Sequence, residues 1–203
     1  SNPTPVGGAL VELQGPIPAA AQTNSTGDFA FSGLGIETQQ IGPRKSGDAD
    51  GGISALDAAY VLQFLVGSRA LDAQQRLACD VTGNGSLSAL DAALILQLTV
   101  GLINRFPAAE ACQSDWLFVP APSPVTTQAL FQPQVLPTPC QRGAISYEPL
   151  TVSAASQDFL GMLLGDCTGN WHPTAGGGAA LGSTDHTLRL GRMQRERNGQ
   201  LRL

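Results

Sequence analysis

Charge is what this sequence has least of. Only 13% of its 203 residues are Asp, Glu, Lys or Arg, about half the roughly 25% of an ordinary soluble domain. So neutral a surface points either to large contacts with other chains or to a Gly/Ala/Pro-rich β protein. No apolar run approaches the roughly 18 residues of a membrane helix, so no membrane span is expected. There is no signal-peptide pattern and no initiating Met, as expected of a processed or excerpted piece of a longer product. No Cys-x-x-Cys pair occurs among Cys79, Cys112, Cys140 and Cys167, which argues against a zinc ribbon. An even cysteine count in a lysine-poor chain favours two disulfides and an extracellular, oxidising setting. Three connectivities are open; sequence order favours Cys79–Cys112 with Cys140–Cys167. No Ser-His-Asp, Cys-His or paired-Glu arrangement is present, and His172 and His186 lack the neighbours of a base. The chain therefore reads as non-enzymatic, with no catalytic residue.

What charge there is lies unevenly. Residues 174–203 hold Arg189, Arg192, Arg195, Arg197 and Arg202 against only Asp185 and Glu196, whereas the rest of the chain is acidic. A basic tail on an acidic body can dock head-to-tail on a neighbouring copy. No aromatics separate those arginines, so nucleic acid is not the expected partner.

Along the chain, "GGALVELQG" (7–15) alternates as a half-buried strand does, "PIPAAAQTN" reads as a loose connection, and "STGDFAFSGLG" (25–35) as a turn followed by a strand through Phe29 and Phe31. Further strands are expected in "DWLFVP", "AISYEPLTV" and "DFLGMLLGD", separated by a Pro-rich spacer at 120–139. "TAGGGAALGST" (174–184) has linker composition. After it, Leu188 and Leu190, an Asn198-Gly199 turn, then Leu201 and Leu203 spell a strand or hairpin. Trp116 and Trp171 lie among apolar neighbours and are expected in the core.

Between these β regions one message is written twice. "SGDADGGISALDAAYVLQFLVG" (46–67) returns 34 residues later as "CDVTGNGSLSALDAALILQLTVG" (79–101). Twelve-residue calcium loops place oxygens at positions 1, 3, 5, 7, 9 and 12, with Gly at 6 for the turn. The second copy fits with Asp80, Thr82, Asn84, Ser86, Ser88 and Asp91 around Gly85. Counting back from Asp57, the first gives Ser46, Asp48, Asp50, Gly52, Ser54 and Asp57 around Gly51. Ile53 and Leu87 take the inward position 8. An all-oxygen set with no nitrogen or sulfur suits Ca2+ at two sites. Asp and Ser also cap helices without any metal, but the ligand register recurs at every position. "GDCTGNW" (165–171) echoes the loop again, with Asp166, Thr168 and Asn170 at positions 1, 3 and 5. Its twelfth position falls on Gly177, so half a loop or an Asx turn is expected there.

The duplicated D-x-[TD]-x-[ND]-G-x-[IL]-S-A-L-D-A pattern resembles type I dockerins of bacterial secreted and cell-surface proteins. That resemblance implies calcium in both loops and helices that dock on a cohesin-like domain. The positions usually read by cohesin are Ala55-Leu56 and Ala89-Leu90. The T-G-x-F-x-F-x-G-L pattern within 6–45 is similar to Ig-like sandwich modules of bacterial surface proteins (the carboxypeptidase-regulatory-like and B-repeat families). Those modules open with one more strand, so an uncovered edge is expected beside residues 9–13. The fold class expected is mainly β with a small α part, an Ig-like β-sandwich packed with a dockerin-like pair of calcium loop–helix units. Its segments are 1–45 (first sandwich part), 46–101 (repeat pair), 102–173 (β-rich continuation) and 174–203 (linker and basic strand or hairpin).

One departure from a free dockerin governs the expected function. Residues 55–66 and 89–100 carry almost no polar side chains, and a helix apolar on nearly all sides is expected to be buried. The repeats then read as a built-in staple. The chain reads as an extracellular filament or fibre subunit that polymerises with copies of itself. In that assembly the strand bearing Leu188, Leu190, Leu201 and Leu203 is given to a neighbour. Docking to a cohesin-like domain is the alternative, and it requires Leu56 and Leu90 to be exposed.

Overall fold

The computed structural model describes residues 4–135, 140–151 and 153–173, and the strands within 188–202 as backbone. The chain is mainly β with a small α part. A five-stranded antiparallel sheet has the order β2-β1-β3-β6-β5, from β1 (Leu10–Gln14), β2 (Ala19–Gln22), β3 (Gln39–Arg44), β5 (Gln128–Phe131) and β6 (Ala144–Tyr147). A three-stranded sheet has the order β4-β7-β8, from β4 (Trp116–Pro120), β7 (Phe159–Leu163) and β8 (Leu188–Leu190). Helices α1 (Ala55–Leu65), α2 (Ala73–Cys79), α3 (Ala89–Thr99) and α4 (Pro107–Cys112) all fall between β3 and β4. Near the C-terminus β9 (Gln194–Arg195) pairs with β10 (Leu201–Arg202).

Strands β4 and β7 explain the layering. Their sequences, WLFVP and FLGML, are apolar without alternation, as in strands covered on both faces. Trp116, Phe118, Phe159 and Leu163 join Val11, Leu13, Ile41, Ile145 and Tyr147 of the larger sheet in one core. Leu117, Met162 and Leu164 turn the other way into a second core with Ala58, Val61, Ala92 and Ile95 of the helices. The middle sheet thus holds the helices on one side and the large sheet on the other. Gln157, fully buried, ties the polar backbone of this region. It accepts from Tyr147 Oη (2.8 Å) and Gln128 Nε2, and donates to the carbonyls of Ser123 and Ala155.

Several expectations change. Strand β1 is paired on both sides, by β2 and β3, so no edge lies open beside it. The hairpin partner β2 comes from the alanines expected to be a loose connection. Phe29 and Phe31 are buried and in edge-to-face contact, yet make no ladder. The asparagine turn before them, where Asn24 Oδ1 accepts from the amides of Thr26 and Asp28, turns both rings inward without a strand. β5 arises within the Pro-rich spacer. The C-terminal strand expected to be given to a neighbour pairs within the chain: β8, with Leu188 and Leu190, is antiparallel to β7. Leu201 lies in β10, and Leu203 lies outside the described residues.

The disulfides are Cys79–Cys167 and Cys112–Cys140, not the pairing by sequence order. Tertiary folding brings the 165–171 loop beside the end of α2, with Gly165 N donating to Ala78 O at 2.8 Å. Cys167 is thereby carried to Cys79, with their Cα atoms 5.2 Å apart.

Candidate calcium loops and docking face

The second loop is organised around Asp80. Its Oδ1 accepts from Thr82 Oγ1 (3.0 Å) and the amides of Gly83 (2.8 Å) and Asn84 (3.1 Å). Its Oδ2 accepts from Gly85 N (2.6 Å). Gly83 and Gly85 sit at φ 72° and 83°, a left-handed backbone that favours glycine. Asp91, fully buried on α3, closes the loop: Oδ1 accepts from Thr82 N (3.0 Å), while Oδ2 accepts from the amide and hydroxyl of Ser88. Ser88 is at the same time the N-cap of α3, in a capping box with Asp91. Asn84 Oδ1 accepts from Ser86 N (2.9 Å). All six positions read from the sequence thus lie in one loop and its helix start.

At α1 the same cap recurs: Ser54 caps the helix and gives its amide (2.7 Å) and hydroxyl (2.9 Å) to Asp57 Oδ2. The rest differs. Asp57 Oδ1 accepts not from residue 48 but from Thr168 N, at 2.9 Å and 111 residues away. Segment 45–50 acts as a strap over the two tryptophans. Trp116 Nε1 donates to Gly47 O (3.0 Å), and Trp171 Nε1 to Asp48 O (2.6 Å). The Asp48 carboxylate pairs with Lys45 at 2.8 Å, and Ser46 and Asp50 are exposed. Gly52 is buried where a Cβ would lie 2.9 Å from Leu163 and 3.0 Å from Trp171.

The loop 165–171 repeats the aspartate cradle of the second loop. Asp166 Oδ1 accepts from Thr168 Oγ1 (3.2 Å), Gly169 N (2.7 Å) and Asn170 N (3.1 Å), and Oδ2 from Trp171 N (2.9 Å). Gly169 has φ 66°, matching Gly83. Burial pushes the Asp166 carboxyl above the ordinary Asp range; the donated amides oppose this and the nearby Asp57 charge adds to it. The signal for this loop was legible as the "GDCTGN" echo; that Thr168 N meets the Asp57 carboxylate 111 residues away was not.

The helices overturn one expectation. Each buries a single face in matched register: Asp57, Ala58 and Val61 on α1, and Asp91, Ala92 and Ile95 on α3. The other face is open, again in register. Leu56 and Leu90 are 52% and 56% exposed, Leu62 and Leu96 45% and 41%, and Val66 and Val100 78% and 69%. The β layers reach only one side of each helix, so the all-apolar sequence leaves an exposed apolar stripe.

Residues 47–98 match the family model of the dockerin type I domain. No curated protein and no solved structure matches the chain. The dockerin-like region covers the two loop–helix units; the β layers and residues 165–171 lie outside it. Dockerin type I domains bind calcium, and the donor set here fits that ion. Among the described residues no three of His, Cys, Asp and Glu converge; the second loop offers the two carboxylates of Asp80 and Asp91 and otherwise neutral oxygens. Asp80 and Asp91 are buried, and no described ion pair engages either. A hard cation that accepts hydroxyl, amide and carbonyl oxygens offsets such buried charge. No described helix is long and apolar enough to cross a membrane.

Proposed function

We propose that this chain is a calcium-supported docking module of a secreted or cell-surface protein, which binds a cohesin-like domain through the exposed face of α1 and α3. The observation that carries this reading is the paired exposure of Leu56 and Leu90 in the positions of the two units that correspond to one another. An exposed apolar stripe repeated in register on two packed helices is the kind of surface that marks a partner site. The calcium loops hold the helix starts through Asp57 and Asp91, so the metal shapes the docking face and no reaction runs on it. Framework and helices form one non-catalytic unit, in which an Ig-like two-sheet sandwich carries the helical insertion. The test is calorimetric titration of the chain with a type I cohesin domain, with and without chelator. Micromolar or tighter one-to-one binding that vanishes on chelation supports the reading, and no binding in millimolar calcium ends it.

A second reading, polymerisation with copies of the chain into a filament, draws on β8 alone. This short strand occupies the open side of β7, where a strand from a neighbour could equally pair. Fibres in negative stain that are lost when residues 185–203 are deleted would favour it over docking.

A further inference from the structure

The chain holds a third loop that the dockerin-like region does not include, and it lies against the one loop whose sequence fits poorly. We propose that the calcium site of the first unit is a split loop: Asp166, Thr168 and Asn170 supply its first three ligand positions, and Gly52, Ser54 and Asp57 of the α1 segment supply the last three. Ser46, Asp48 and Asp50, which precede α1 in sequence, are not its ligands.

The argument is a superposition of bonding patterns within one molecule. In the intact loop, Thr82 bridges the two carboxylates, giving its hydroxyl to Asp80 and its amide to Asp91. Thr168 bridges Asp166 and Asp57 in the same way, hydroxyl to the first and amide to the second. The amides three to five places after the aspartate complete the cradle of Asp166 as they do that of Asp80, and the glycine at the fourth position takes the same left-handed backbone. The join falls at position six: Trp171 N gives Asp166 Oδ2 the amide that Gly85 N gives Asp80 Oδ2, and the α1 segment takes over from there. Gly51, at φ 74°, matches Gly85 at φ 83°, and from Ser54 to Asp57 the first unit makes the same cap bonds as the second does from Ser88 to Asp91. Upstream of Gly51 the two units differ, because Asp48 is turned to Lys45 and its carbonyl is taken by Trp171.

A second observation points to a cation. Asp57 is 0% and Asp166 7% exposed, both accept from Thr168, and no described Lys, Arg or His pairs with either. Two neighbouring buried carboxylates without a counter-charge are costly to keep ionised. A divalent cation held by all-oxygen donors supplies that charge. The disulfide from Cys79, next to Asp80, to Cys167, next to Asp166, keeps the separate half of the loop in place.

This inference rests on the loops being calcium sites and is independent of the docking partner, so it is tested with the full chain and metal alone. The decalcified protein is titrated with Ca2+ by calorimetry, and with Tb3+ under tryptophan excitation, since Trp171 follows the loop directly. The unaltered chain binds two equivalents. Asp166→Asn binds one and loses most of the sensitised emission, whereas Asp48→Ala combined with Asp50→Ala keeps both equivalents and the emission. Thr168→Val, which removes only the bridging hydroxyl, weakens one site about tenfold and decides the matter should the Asp166 variant fail to fold. Two equivalents retained in Asp166→Asn, an equivalent lost in the double alanine variant, or unaltered affinity in Thr168→Val would each overturn it.

Discussion

Cys79 and Cys167 are joined although 88 residues separate them, and each adjoins the leading aspartate of a loop, Asp80 or Asp166. The bond therefore links the first half of the chain's helical unit to the strand-end loop that follows β7. Cross-links that close long loops constrain the unfolded chain most. Replacing both cysteines by serine is expected to lower stability by about 2–4 kcal/mol. The same change at Cys112 and Cys140, which span 28 residues, should cost about 1 kcal/mol less. Guanidinium unfolding of the two double variants measures the difference.

Removal of calcium should lower the unfolding temperature, because a ligand that binds only the folded state stabilises it. At one hundred times the dissociation constant the gain is about 2.7 kcal/mol per site. Asp91→Asn, which strips one carboxylate from the intact loop, should remove part of the calcium-dependent rise and leave the remainder. Scanning calorimetry with and without chelator reports both; identical melts in the two conditions would contradict a structural metal.

Leu56 and Leu90 are exposed, so Leu56→Asp with Leu90→Asp should leave the melt within about 0.5 kcal/mol of the unaltered chain. Binding to a cohesin domain should nevertheless fall by 2 kcal/mol or more, roughly thirtyfold, as expected for central apolar anchors. Leu13→Asp, buried at 2% exposure in the β core, is the contrasting variant and should unfold the chain. Calorimetric binding together with thermal melts separates the two behaviours.

Gly52→Ala places a methyl group against Leu163 and Trp171 at about van der Waals overlap. Since Leu163 and Trp171 are both buried, the expected cost is about 1–3 kcal/mol. The tryptophan fluorescence of the folded state should shift with it, as Trp171 stacks edge-to-face on Trp116 at 4.6 Å.

Burial pushes the Glu12 carboxyl up, but hydrogen bonds and charge from Arg142 and Arg44 outweigh it and hold the group below its ordinary range. A carboxylate so depressed stabilises the fold above its unfolded pKa, and that contribution is lost as pH falls through the folded value. Glu12→Gln should therefore be less stable than the unaltered chain at neutral pH and approach it in acid below about pH 4. Urea melts at pH 7 and pH 3 check the sign; a gap that widens in acid would refute it.

The loop–helix repeat was legible in the sequence because its determinants are local. Asp80 to Asp91 are contiguous, each ligand type serves its own turn, and Ser54 and Ser88 cap helices that start where the spacing places them. The apolar runs in β4 and β7 and the core positions of Trp116 and Trp171 were legible for the same reason, since burial on both faces writes an unbroken apolar stretch. Tertiary structure decided the rest, because it set which surfaces meet. The helices' composition does not say that neighbours cover one side only, leaving Leu56, Leu62 and Val66 open. The partner of Asp57 could not be found by counting along the chain, because an amide 111 residues distant takes the place a neighbour fills for Asp91. Cys79 chose Cys167 for that same reason: β7 carries its following loop back to the end of α2. Local chemistry is encoded at fixed spacing, whereas the closing of a loop by a distant segment depends on where the sheets carry it.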